Sequence, residues 1–374
     1  MRKIKRKLPQ FNIIIFVLSI FMGILGLFVL LSASSYLTIK NETSRYYYAV
    51  RQGGFLLFGC IAMFYISKID YKFLRRFSFA LYMIGIIFLL ISLFGGSLRS
   101  PINGSYRAIK LGVSFMPSDF MKIAGILFIS NRIIANRKND ESFTKGVIPF
   151  AILVLIPILL VFRQPDLSTT LVMLMAFSSI YIVGGLKIKF LPYFLSGAVL
   201  LGFVATKFLK GYQLERITSW LNPEAYYNGS SWQVLNGLFA VSRGGLGGVG
   251  YGKSVFKHGY LSDEVVNDMI FSVISEEFGF LGAVIFILLI SWLVYTILKE
   301  SMRAKDEYAK LVLFGIGMLL FIQSFVNIGV AIGIIPNTGI TLPFISYGGT
   351  SLLVFYGMMG IVLNITRFNN LSEK

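Results

Sequence analysis

Apolar residues arrive in long blocks along this chain, separated by short polar or basic interruptions. A bilayer-spanning helix needs roughly 20 such residues. By that measure ten spans can be drawn, near 11–33, 48–67, 77–95, 117–135, 147–163, 167–186, 188–208, 269–298, 309–335 and 343–366. The expected fold is an all-α polytopic membrane protein with about ten transmembrane helices in one domain, 11–368. A basic tail, 1–10, precedes it, and a short tail, 369–374, follows. The longest interruption runs from about 209 to 267, and loops of that length tend to be functional.

Composition excludes a soluble domain, since 56% of the residues are hydrophobic. The net charge is +18, but the basic residues fall in short clusters between apolar blocks. That distribution argues against a nucleic-acid partner and matches the positive-inside pattern. The first tail, the alternate loops (68–76, 132–146, 187–189, 299–310) and the C-terminus hold about 21 of the 35 Lys and Arg. Both termini are therefore expected in the cytoplasm, with the 209–267 loop outside. The single cysteine, Cys60, rules out an internal disulfide, and the single histidine, His258, rules out a His-based metal site. The first apolar block lacks a small-residue cleavage site and reads as a span.

Candidate chemistry concentrates between Gly259 and Ala283. Asp263, Glu264 and Asp268 stand at the mouth of the apolar run from Met269, and Glu276 and Glu277 lie inside it. Carboxylates at membrane depth are costly and usually mark function. At about 100° per residue, Asp268, Ser272, Ser275 and Gly279 share one helix face. Asp268, at the outer end of that stripe, is well placed for chemistry at the membrane surface. The alternative is that Asp268 or Asn267 only caps the helix. Arg51 and Gln52 enter the second span near its outer end, where Arg51 either snorkels or faces an anion. Asp119 and Lys122 are three apart and can pair on one helix face, or Lys122 can reach a phosphate. Arg107 lies in the loop before them. Asp166 reads as a helix N-terminal acid. A short amphipathic helix is expected near Trp232–Ser242. The Gly-rich stretch Arg243–Ser254 then suits either a phosphate or a tight re-entrant turn, and it lacks the frame of a P-loop. Finally, Gly329–Ser351 carries no charge and is broken by Pro336, Gly339, Pro343, Gly348 and Gly349. Broken backbone at membrane depth must be buried in protein or line a cavity.

Asn327 through Ser351, ending in PFISYGGTS, resembles the C-terminal signature of the SEDS family (FtsW, RodA, SpoVE). Four further segments match in order: Asn103 to Lys122, Gln164 to Leu167, Trp232-Gln233 with the Gly-rich loop, and Asp268 to Gly279. Gly250–Lys257 and the early Arg51-Gln52 look more like FtsW or SpoVE than RodA. The chain departs from the family pattern at Ala108, Asp119, Ser168, Asp263, Asn267 and Asn337.

The resemblance implies a peptidoglycan glycosyltransferase. It would polymerise lipid II at the outer face of the bacterial cytoplasmic membrane and release undecaprenyl pyrophosphate, in cell division or related septal or spore wall synthesis. It also implies a class B penicillin-binding protein as partner, divisome or elongation proteins around it, and contact with membrane lipids. A lipid II flippase and a non-enzymatic division scaffold are the alternatives; acids gathered on the outer surface favour the enzyme. Asp268 would be the general base or a ligand of a divalent cation, Mg or Mn, and a helix N-terminus would favour its ionised form. Arg51, Arg107, Lys122, Arg243 and Lys253 would offer cations to the pyrophosphate. Gln52, Gln164, Asp166, Gln233, Glu264 and Ser346 complete the expected substrate contacts.

Overall fold

The computed structural model describes residues 11–372, apart from 103–104, 112, 138–141, 186, 191, 193–210, 227–228, 230 and 262. The helices are α1 (Ile13–Ala33), the short α2 (Ser35–Lys40), α3 (Tyr47–Ile66), α4 (Tyr71–Phe94), α5 (Pro117–Ala135), α6 (Ile148–Arg163), α7 (Leu167–Gly184), α8 (Gly211–Leu221), α9 (Trp232–Gly244), α10 (Ile270–Arg303), α11 (Glu307–Ala331) and α12 (Gly349–Ser372). Among the described residues, all but α2, α5, α8 and α9 are long and apolar enough to cross a membrane, which makes eight. α5 has the length but carries Asp119, Lys122 and Arg132. Most of the expected seventh span, 188–208, lies outside the described residues, as does the 1–10 tail.

α11 and α12 are the most deeply buried of the eight, while α3 and α4 turn large apolar side chains such as Phe58 and Phe94 outward. Outward apolar surface is what lipid tails require. The expected amphipathic helix is α9. The last span starts at Gly349 rather than near 343, because Pro343 and Gly348 stop a helix from extending back. The 332–348 segment is irregular instead. The loop between α4 and α5 forms a three-stranded antiparallel sheet: β1 (Arg99–Ile102), β2 (Ser105–Leu111) and β3 (Val113–Phe115). Pairing of Ile109 with Phe115 and of Arg99 with Ile109 sets its register.

The polar stripe on α10 does not face a cavity. Ser272 and Ser275 are buried against α9. A Cβ on Gly244 would sit 2.0 Å from the Ser275 carbonyl oxygen, so small residues here allow close helix approach. α10 is then interrupted at Gly279, whose φ of 67° is left-handed. The interruption frees backbone groups that the Gly-rich loop takes up. Val249 and Gly250 donate to the carbonyls of Glu276 and Glu277, and Phe280 and Leu281 donate to Gly245 and Leu246. The glycines are thus a backbone clamp on a broken helix, which is the turn reading of that stretch rather than the phosphate one.

Side chains complete the clamp. Glu276 and Glu277 are both buried. Arg243 lies 2.6 Å from Glu276 Oε1. Buried Lys257 donates to Glu277 at 2.9 Å, Ser32 Oγ at 2.8 Å and the Gly252 carbonyl at 2.8 Å, which uses all three of its protons.

Gly248 and Gly252 separate close approach from backbone strain. Both have positive φ, at 82° and 78°. A Cβ on Gly248 would lie 2.2 Å from the Glu277 oxygen, whereas nothing lies within 4 Å of one on Gly252. Gly252→Ala should cost about 1–2 kcal/mol from conformation alone. Gly248→Ala should cost about 1–3 kcal/mol more from overpacking. Thermal melting of both variants in one detergent decides; equal melting temperatures would remove the close-approach argument.

Candidate active site

A cavity of about 330 Å³ opens between α3, the small sheet, the N-terminal ends of α5 and α7, and the 339–351 segment. Arg51, Arg107, Lys122, Asp119, Asp166 and Glu264 all line it. Residues separated by more than 200 positions in the chain therefore meet in one polar chamber.

Each is placed by local geometry. Pro117 opens α5 and puts Asp119 in its first turn. Lys122, one turn on, donates to Asp119 Oδ1 at 2.8 Å and to Gln323 Oε1 of α11 at 3.1 Å. The sequence-expected pair is present, and both side chains are nearly fully buried. Arg107, on β2, donates to the Pro165 carbonyl at 2.9 Å and stands 3.7 Å from Asp166 Oδ2. Asp166 caps α7 by accepting from the Thr169 amide at 3.0 Å. Arg51 is exposed at the chamber wall and donates to the Tyr47 hydroxyl at 2.8 Å.

Other expected contact residues hold the walls. The Gln52 amide is buried and donates to the Ser346 carbonyl at 3.0 Å while accepting from the Gly348 amide. Ser346 Oγ donates to the Asn267 carbonyl and accepts from the Leu342 amide. Gln164 is buried and donates to Ser92 Oγ at 2.8 Å. Gln233 accepts from Asn337 Nδ2 at 2.8 Å. Neither Arg243 nor Lys253 lines the chamber. Arg243 serves the clamp on α10, and Lys253 is exposed on the Gly-rich loop. Two further buried side chains on α11 support the walls. Asn327 Nδ2 donates to the carbonyls of Asp268 and Ile340, at 2.9 and 2.7 Å. Gln323 bridges Lys122 to the Thr341 carbonyl at 3.0 Å. Their i,i+4 spacing within an apolar run was the available signal.

Asp268 sits behind this chamber, against Gly339 and beside Glu264. It is not a helix cap. α10 begins at Ile270, and Met269 occupies the cap position without a side-chain bond. The Asp268 side chain is buried, and its Oδ1 has no hydrogen-bond partner among the described residues. Burial, then the neighbouring Glu264 charge, pushes its carboxyl up to about 8. The helix N-terminus therefore does not win: desolvation and a like charge outweigh the dipole. Among the described residues no three His, Cys, Asp or Glu side chains stand together as a metal cluster.

A multi-pass helical membrane protein with a cation-lined chamber and a buried carboxyl beside a second one at the chamber wall is the class this geometry defines. The sequence profile of the FtsW/RodA/SpoVE cell cycle proteins matches residues 12–371. The chain belongs to that family. It is 37% identical over 359 residues to stage V sporulation protein E of Bacillus subtilis, covering 96% of this chain and 97% of that one. It is 34% identical over 357 residues to the probable peptidoglycan glycosyltransferase FtsW of Nitrosomonas europaea, covering 94% and 91%. A chain of a solved peptidoglycan synthase complex, described as coordinating polymerization and crosslinking, superposes with a TM-score of 0.80 at 25% identity, covering 96% and 98%. The rod shape determining protein RodA of Thermus thermophilus shares the fold with a TM-score of 0.69 at 24% identity, covering 96% and 97%.

The carboxyl pair can be tested directly. In chelator-treated, metal-free protein, the protonated Asp268 band in difference infrared spectra should titrate near pH 8, identified by its loss in Asp268→Asn. Glu264→Gln removes a negative neighbour and so favours the ionised form; the midpoint should fall by about one unit. An unmoved midpoint would mean that burial acts alone.

Proposed function

We propose that this chain is a peptidoglycan glycosyltransferase that polymerises lipid II at the outer end of its helix bundle. The observation that carries the reading is the chamber itself: three cations line it, and the buried Asp268 carboxyl lies behind it beside the wall residue Glu264, in a chain of the FtsW/RodA/SpoVE family. The pyrophosphate of the donor lies against Arg51, Arg107 and Lys122. The acceptor sugar's 4-hydroxyl oxygen bonds to the donor's anomeric carbon. The bond from that carbon to the pyrophosphate breaks, and undecaprenyl pyrophosphate leaves with the electron pair. The hydroxyl proton passes to Asp268. A carboxyl near 8 is about one-tenth ionised at pH 7 but is a correspondingly stronger base, which suits proton abstraction from an alcohol.

Asp268 and Glu264 also fit a divalent cation, Mg or Mn. Magnesium is commonly held by one or two carboxylates together with substrate phosphates. The mutual repulsion that raises Asp268 is relieved by a positive charge between the two. When bound, the cation supplies charge neutralisation to the departing pyrophosphate.

The likeness to a chain of a synthase complex that couples polymerization to crosslinking supports a class B penicillin-binding protein as partner. The basic-residue distribution supports cytoplasmic termini in the bacterial cytoplasmic membrane, with the 209–267 loop outside.

Asp268→Asn retains size and removes the base. It should melt like the parent protein while glycan synthesis from purified lipid II falls by about 10²–10⁴-fold. Polymerisation within a few-fold of the parent would end the catalytic assignment. For topology, Glu224→Cys in a Cys60→Ala background should react with a membrane-impermeant maleimide in intact spheroplasts. Reaction only after permeabilisation would invert the map.

A further inference from the structure

A second cavity, of about 130 Å³, adjoins the chamber. It lies between the start of α7, the Arg216–Ile217 turn of α8 and the 336–338 segment. Arg107 and Asp166 line both spaces, so their ion pair forms part of the partition. The 336–341 segment runs along both as well. Asn337 and Thr338 face the second cavity, and Gly339, Ile340 and Thr341 face the first. Asp268 stands behind Gly339, at the crossing, and feels the Arg216 charge from the second side.

The two spaces differ in chemistry. The chamber presents Lys122, Arg51 and three carboxylates, which suits a pyrophosphate and a counter-ion. Among the described residues no lysine lines the second cavity, and the one acid there, Asp166, faces Arg107. The remaining wall joins the Arg216 guanidinium, the Asn337 amide and the Ser168 and Thr338 hydroxyls to apolar Leu167, Leu171 and Ile217. Asn337 Oδ1 and Thr338 Oγ1 are buried and take no hydrogen bond among the described residues, so each has unused hydrogen-bonding capacity just beneath the cavity wall. Neutral hydrogen-bonding groups over an apolar floor complement the hydroxyl and acetamido groups of an N-acetylated sugar. Ser168 and Asn337 are also positions at which the chain departs from the family pattern, and both place polar groups here.

We propose that this second cavity is the acceptor saccharide subsite, with Asn337, Thr338 and Arg216 contacting the sugar that supplies the nucleophilic hydroxyl. The assignment rests on the glycosyltransferase reading. A glycosyl transfer needs two sugars to converge on one base, and these are two unlike spaces with a shared wall and Asp268 behind the junction.

The probe is the N-acetylglucosaminyl–N-acetylmuramic disaccharide without pyrophosphate, titrated into the full chain in detergent and followed by saturation-transfer NMR. The parent protein should bind it. Leu171→Trp fills the cavity from an exposed position and should abolish binding. Asn337→Ala should weaken binding by about tenfold, the scale of one lost hydrogen bond. Arg51→Met, at the exposed chamber wall, should leave disaccharide affinity unchanged while weakening binding of undecaprenyl pyrophosphate. Leu171→Trp should also stop chain growth from lipid II. No binding by the parent protein, or equal binding by Leu171→Trp and Asn337→Ala proteins that melt normally, would overturn the assignment. Leu171-sensitive disaccharide binding by a parent protein that never polymerises lipid II would uphold the saccharide site and overturn the catalytic reading instead.

Discussion

Backbone that leaves the helix at membrane depth must find every hydrogen bond inside the protein, and the site depends on how that is met here. The 332–348 segment and the residues just before α10 are both irregular. They satisfy one another through a few buried amide and hydroxyl side chains. Asn327 holds the carbonyls of Asp268 and Ile340 together, Ser346 joins Leu342 to Asn267, and the Tyr347 amide donates to the Val266 carbonyl at 2.8 Å. Gln52 ties the result to α3. Asp268 is carried on this lattice, so its position is fixed by neighbours from four parts of the chain.

The same constraint acts again at Gly279. A helix interrupted inside the apolar bundle exposes carbonyls and amides, and the Gly-rich loop supplies their partners at distances no Cβ would permit. Two buried glutamates reinforce the junction, each with its own cation. Removing one member of such a pair leaves an unpaired buried charge, which typically costs about 3–5 kcal/mol. The loop is thereby anchored to the helix that begins beside Asp268. Rigidity of the supporting elements is what lets a carboxyl remain buried with a like charge beside it.

Electrostatics then divides the polar side chains into two sets. Those that spend their bonds inside the protein, such as Gln52, Gln164 and Ser346, build the walls. Those whose charge is presented to the chamber, namely Arg51, Arg107, Lys122, Asp166 and Glu264, give it its chemistry. Lys122 belongs to both, since its pairing with Asp119 and Gln323 also keeps an ammonium stable at 4% exposure.

The apolar blocks by themselves determined the helical membrane fold, because a span of about 20 residues has no other way to satisfy its backbone in lipid. Local spacing likewise determined the Asp119–Lys122 pair, the Asp166 cap and α9, since each depends on contacts within about one turn. Only tertiary structure decided the rest. Helical periodicity aligned Asp268 with Ser272 and Ser275, but α9 packs over the serines, and Asp268 lies outside the helix altogether. A list of cations could not distinguish Arg107 in the chamber from Arg243 on the clamp. The raised Asp268 carboxyl follows from burial and from Glu264 folded back against it, and burial is set by whatever the rest of the chain brings to that point.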